Sequence, residues 1–261
     1  MMEYACLDGE VMPASEARIP ATDDGLLRGD GAFEVLRLYA GRAYAVDEHL
    51  VRLQRSAENL RMPVDVEAVS EDMDAILEAA GARDGLLRLV VTRGGHRLVL
   101  TEPMPALPDI IRLGLVTYTP TRVLDGIKSL SYAANMLATR LAQERGFDEA
   151  LLVTPHGRIL EAPTSSFFWV RDGRLLTPPL DEHILSSITR AKVLEEYETE
   201  ERPCTREDLE AADEAFLAST VREVMPVGRV EDIELATGGP VSEEAGSRVR
   251  ARIDAELAAA T

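Results

Sequence analysis

The chain has 261 residues, of which 46% are hydrophobic and 28% charged, enough apolar material for one large core or two smaller ones and too much for a disordered or fibrous protein. A formal net charge of -18 sets most of the surface against phosphate backbones and argues against nucleic acid as a partner, while a small anion can still bind a local arginine cluster. No apolar run reaches the roughly 18 residues of a membrane-spanning helix, so no membrane partner is expected.

The opening stretch, MMEYACLDGEVMP, lacks a basic segment followed by an apolar one, which predicts a cytoplasmic protein without a signal peptide. Its Asp-Gly pair between short apolar runs predicts a hairpin, and AFEVLRLYAGRAYAV repeats the pattern with a turn at Ala40 and Gly41. Asp47 is placed to cap a helix in which Leu50, Leu53, Ala57 and Leu60 recur at helical spacing, with Pro63 beyond its end. A second helix over about 66–80 stops at Gly81. GLLRLVVTRG and IIRLGLVTYTP read as strands. Next come a helix over about 132–145, a strand EALLVT, a turn at PHGR, and a strand SFFWV turning at RDGR. A helix over about 188–197, a strand EAFLAS and a last amphipathic helix over about 242–258 complete the chain.

Strands and helices mix without regular β-α-β alternation, which predicts an α+β fold rather than a doubly wound sheet. Proline and turn formers in 119–126 mark a linker between a small α/β domain, 1–118, and a larger domain, 127–261. Cys6 and Cys204, far apart, give no disulfide framework.

Several motifs carry little. The RGD tripeptide at 28–30 is short enough to recur by chance, and GDG is not a GxGxxG fingerprint. No phosphate-binding P-loop and no GxSxG elbow is present. His49, His96, His156 and His183 have no metal-ligand spacing, so no metal is expected.

Lysine occurs at just two positions, Lys128 and Lys192, in a chain with 28 Lys plus Arg. Arginine-codon bias explains the ratio most simply. It also singles out a lysine retained where arginine would not do: an ε-amine can attack a carbonyl to form a Schiff base, and a guanidinium cannot. Lys192, among acidic residues at helical spacing, reads as a solvated ion-pair residue.

Separated pieces then fall into order: DEHLVRL with Arg52, IKSLSY with Lys128 and Tyr132, GRILEAPTSSFFWV with Glu161, and ILSSITR and ASTVREVMPV, each with a threonine in a short turn. The set resembles the fold type IV (class IV) pyridoxal phosphate enzymes, a family that includes D-amino acid and branched-chain aminotransferases and aminodeoxychorismate lyase. The resemblance spans nearly the whole chain. It implies a two-domain fold with pyridoxal 5'-phosphate between the domains, and a homodimer with active sites at its interface. By the same resemblance Lys128 is the Schiff-base lysine and proton shuttle, Glu161 the partner of the pyridine nitrogen, and Arg52 the phosphate arginine. Ile188 and Thr189 would offer helix N-terminal amides to the phosphate, Thr220 would form its second turn, and Tyr132 would donate to the phenolate oxygen. Taken singly, Arg52 also fits an exposed helix arginine, Glu161 a loop carboxylate and Tyr132 a core residue.

Two positions depart from the family pattern: Ser166 stands where many relatives have asparagine, and Ser187 where they have glycine. Lyase members tend to carry a threonine pair after GDGxF, and here the residues are Glu34 and Val35. The arginine and histidine after TRG occur in the order His96, Arg97, unlike the D-specific enzymes, which leaves stereopreference open. Arg28, Arg88, Arg93 and Arg97 are candidates for a substrate carboxylate, with one or two of them structural. The reading is an aminotransferase acting by a ping-pong exchange between an amino acid and a 2-keto acid. Aminodeoxychorismate lyase is the first alternative and a non-catalytic cofactor-binding homologue the second.

Overall fold

The computed structural model describes residues 3–259. These divide into two compact units, one running through Ala106 and including Gly126–Tyr132, the other comprising Leu107–Asp125 and the residues from Ala133 onward.

The first unit is an antiparallel sheet backed by two helices. Its elements are β1 (Tyr4–Leu7), β2 (Glu10–Pro13), α1 (Asp24–Arg28), β3 (Gly31–Tyr39), β4 (Arg42–Ala43), α2 (Val46–Asn59), α3 (Val66–Ala80), β5 (Gly85–Thr92) and β6 (Arg97–Glu102). The strands lie in the order β2-β1-β6-β5-β3-β4. Ala32, Leu36 and Leu38 alternate along one face of β3 and pack with Leu53 and Ala57 of α2 and Met73 and Ile76 of α3. Asp65 caps α3 by accepting the Ala68 N–H at 3.0 Å, and Gly81 closes it at φ 71°. Asp47 is not the cap expected for α2: the helix begins after Ala45, which has left-handed φ 56°, and Asp47 sits in its first turn, where a negative charge meets the positive end of the helix dipole.

The second unit is a mixed sheet with helices. Its elements are β7 (Ile111–Thr117), α4 (Ala133–Glu144), β8 (Glu149–Val153), β9 (Ser166–Arg171), β10 (Arg174–Thr177), α5 (Ile188–Glu196), β11 (Thr199–Glu201), α6 (Arg206–Glu210), β12 (Glu214–Ser219), β13 (Glu223–Val230), β14 (Ile233–Glu234) and α7 (Pro240–Ala259). The order is β11-β10-β9-β12-β13-β7-β8, with β14 on β13. Phe167, Trp169, Leu217 and Val227 fill its core. Lys192 is buried rather than solvated, its Nζ 3.2 Å from Glu256 of α7.

The division differs from the linker read at 119–126. β7 lies in parallel register between β13 and β8 and so belongs to the second sheet. Gly126–Tyr132 is bound to the first unit: Phe33 donates its N–H to the Lys128 carbonyl at 3.0 Å, and Leu130 donates to Gly31 at 2.9 Å. Among the described residues no helix is long and apolar enough to cross a membrane.

Candidate active site

In the first unit, Lys128 is fixed through its main chain. Besides the bond to Phe33, its N–H donates to Ser56 Oγ of α2 at 3.2 Å, and its neighbour Ser129 bridges Ala32. The half-buried side chain carries Nζ over the Phe33 ring, 4.6 Å from its centroid. The same ring meets Tyr132 edge-on, centroids 5.3 Å apart, and the Arg88 guanidinium at 5.8 Å. A phenyl ring thus gathers an amine, a phenol and a guanidinium.

Arg52 lies one turn before Ser56 on α2. Its Nε and Nη2 donate to Glu34 Oε1 and Oε2 at 2.7 and 2.6 Å, and His49 Nδ1 reaches Oε2 at 2.8 Å. Glu34 and His49 are both fully buried. Burial opposes charge on Glu34, but the hydrogen bonds and charge of Arg52, with those of His49, outweigh it and hold the carboxyl at about 2. Burial is also the largest influence on His49 and lowers its proton affinity, with the charges of Arg52 and Lys128 adding to it against the pull of Glu34. His49 is therefore a neutral imidazole that donates from Nδ1.

All four arginine candidates are tied to carboxylates of this unit. Arg28 pairs with Asp24, Arg93 with Asp30 and with the Leu60 carbonyl at 2.7 Å, and Arg97 with Asp72 at 2.9 Å. Arg88 holds Glu102 through Nε at 2.6 Å and Nη2 at 2.9 Å.

In the second unit, Glu161 follows β8 and accepts the Leu185 N–H at 3.0 Å. Tyr118 has its hydroxyl pushed up by burial and by the Glu161 charge. Ile188 and Thr189, both buried, open α5. Ser187 caps that helix through Oγ, accepting from Arg190 at 3.3 Å with φ -77°, a conformation that needs no glycine. At the start of a helix the Ile188 and Thr189 N–H groups have no carbonyl one turn back, so they suit an anion. Thr220 lies in the turn between β12 and β13. Two residues on, Arg222 braces this region by donating to Thr164 Oγ1 at 2.8 Å, to Ser165 Oγ at 2.5 Å and to buried Glu149. Ser166 Oγ is buried without a hydrogen-bond partner among the described residues.

Residues 31–230 match the family described as amino-transferase class IV. The chain belongs to that family. It is 36% identical over 252 residues to a putative branched-chain-amino-acid aminotransferase of Methanocaldococcus jannaschii, covering 86% of this chain and 87% of the relative. It is 30% identical over 256 residues to the D-alanine aminotransferase of Bacillus licheniformis, covering 89% and 90%. Among solved structures it is similar to a hypothetical aminotransferase from Mycobacterium tuberculosis in its alpha-ketoglutarate and PMP bound form, with 27% identity, a TM-score of 0.89, and 98% and 100% of the two chains covered.

Class IV aminotransferases use pyridoxal 5'-phosphate, and this chain has the groups the cofactor requires. The first unit carries a half-buried primary amine and a guanidinium, and the second a carboxylate at Glu161 and a helix start, group types that suit an aldehyde, a phosphate and a pyridine nitrogen. The buried, partnerless Ser166 hydroxyl is consistent with a polar ligand nearby. Glu34, His49, Phe33 and Arg222 had no assigned role in the sequence reading. The only sequence signals for Glu34 and His49 are an acid inside an apolar strand, whose facing depends on register, and a histidine three residues before Arg52 on one helix face.

Proposed function

We propose that this class IV aminotransferase works through Lys128 on an α-amino acid donor and a 2-keto acid acceptor. The observation that carries the assignment is the Phe33 ring, whose centroid lies 4.6 Å from Lys128 Nζ and 5.8 Å from the Arg88 guanidinium. Pyridoxal phosphate supplies an aldehyde for the amine and a ring that draws electron density from the substrate Cα. Lys128 would hold the cofactor through its ε-amine, and the same amine would serve as the base for the substrate Cα proton. Tyr132 would donate to the cofactor's phenolate oxygen, and Glu161 would keep its ring nitrogen protonated. Arg52, Ile188, Thr189 and Thr220 are read as the phosphate residues, the first by its guanidinium and the next two by their helix-start amides.

Arg88 is the best supported of the four carboxylate candidates. Its bonds to Glu102 use Nε and Nη2, which leaves Nη1 for a substrate carboxylate. Arg28, Arg93 and Arg97 are read as structural. The lyase reading loses support because Val35 has no proton to exchange and Glu34 is committed to Arg52 and His49. A homodimer in the cytoplasm is the proposed working form; Leu26 and Leu27 of α1, 67% and 60% exposed, offer apolar surface to a second copy.

Arg88→Gln tests the carboxylate assignment. The KM for the amino donor should rise by about tenfold to a hundredfold, the worth of a charged hydrogen bond, with kcat changed far less. An unchanged KM would move the role to another arginine.

A further inference from the structure

Glu34 stands on the core face of β3, between Ala32 and Leu36, which belong to the apolar core. A carboxylate survives there only if its oxygens are satisfied. Three N–H donors do this: Arg52 Nε and Nη2 at 2.7 and 2.6 Å and His49 Nδ1 at 2.8 Å. His49 Nε2 is buried with no hydrogen-bond partner among the described residues. That nitrogen is costly to bury, so the imidazole is retained for what Nδ1 does. His49, Arg52 and Ser56 share one face of α2, and Ser56 also holds the Lys128 N–H at 3.2 Å. One rigid helix face therefore fixes both a guanidinium and the main chain of the lysine.

We propose that Glu34 and His49 are positioning residues for Arg52: the carboxylate fixes the plane and direction in which the guanidinium is offered to the cofactor phosphate, and His49 keeps the carboxylate from rotating. The inference rests on reading Arg52 as a phosphate residue. Two effects of Glu34 oppose each other. Its charge cancels part of the Arg52 charge and so weakens the pull on a phosphate. Its geometry removes the rotamer freedom that an unheld arginine would lose on binding. The positioning reading requires the second effect to win.

The test compares pyridoxal phosphate with pyridoxal, which lacks the phosphate, titrated into cofactor-free protein while the visible absorption of the lysine-bound cofactor is followed. In Glu34→Gln the amide nitrogen faces a donor, so the side chain cannot accept all three N–H groups. Affinity for pyridoxal phosphate should fall by about tenfold or more while that for pyridoxal stays within about twofold. His49→Asn keeps an N–H near the Nδ1 position and should bind like wild type; His49→Leu should lose affinity in the direction of Glu34→Gln. Far-UV circular dichroism checks the fold, and if Glu34→Gln does not fold, the contrast of Leu with Asn at position 49 decides.

Unchanged or tighter binding of pyridoxal phosphate in the folded variants overturns the proposal, since charge would then outweigh position. Equal weakening for both ligands overturns it too, because the role would be merely structural. Arg52→Gln in the same titration separates the two readings. If it leaves the preference for the phosphorylated ligand intact, Arg52 is not a phosphate residue and the inference falls with that assignment. If it abolishes the preference while Glu34→Gln and His49→Leu do not, the positioning inference alone fails.

Discussion

Glu34 and His49 bind protons less readily in the folded protein than in the unfolded chain, so acid works against the fold from both. The contribution of His49 is complete above its ordinary value of 6.5 and fades as the pH falls below it. That of Glu34 is complete above 4.5 and is lost as the pH falls toward about 2. The urea midpoint should therefore decline on acidification below about pH 6.5, and His49→Asn should flatten the upper part of the decline. Equal slopes in wild type and variant would contradict the neutral, buried imidazole. At this scale the sequence singles out Lys128, because a lysine in an arginine-rich chain suggests a chemical need, and its role stays a proposal. The Glu34 triad was not, because whether an acid in a strand points into the core or outward depends on register, and the alternation around Phe33, Val35 and Leu38 is imperfect.

Elements place the site residues more than side chains do. Ser187→Ala removes the cap of α5 and should cost about 1 kcal/mol in denaturant unfolding, while Ser187→Gly should cost only a few tenths. Equal losses in the two would show that the hydroxyl, and not the cap conformation, matters. Gly31 opens β3, and a Cβ there would meet the Val91 carbonyl oxygen at 2.4 Å and Leu130 Cδ1 at 2.6 Å. Gly31→Ala should destabilise the protein by roughly 1–3 kcal/mol and loosen the segment carrying Lys128, seen as faster amide exchange at Leu130. Wild-type exchange would mean the segment is held by other contacts. Most elements could be read from periodicity, α3 to the residue. β13 was missed because Pro226 and Gly228 argue against a strand; the sheet accommodates them with an irregularity in its pairing to β7 between Val227 and Arg229. α1, five residues long, is too short for a periodic signal.

For the whole molecule, the α+β fold was legible from the irregular succession of elements, but the division of the chain was not. Proline and turn residues mark where a chain bends. They do not say that β7 crosses into the second sheet, or that 126–132 returns to the first, because both depend on long-range pairing. The proposed homodimer predicts a solution mass about twice the 28.6 kDa of one chain, falling to one chain in Leu26→Asp, Leu27→Asp double variants. A double variant that keeps the mass of two chains would remove α1 from the interface. The account as a whole depends on Lys128 and is best tested by the visible spectrum of the holoprotein during single additions of amino donor and then keto acid. The account predicts a band lost with a productive donor, regained with a keto acid, and absent from Lys128→Ala. A band that persists in Lys128→Ala with turnover intact would contradict it.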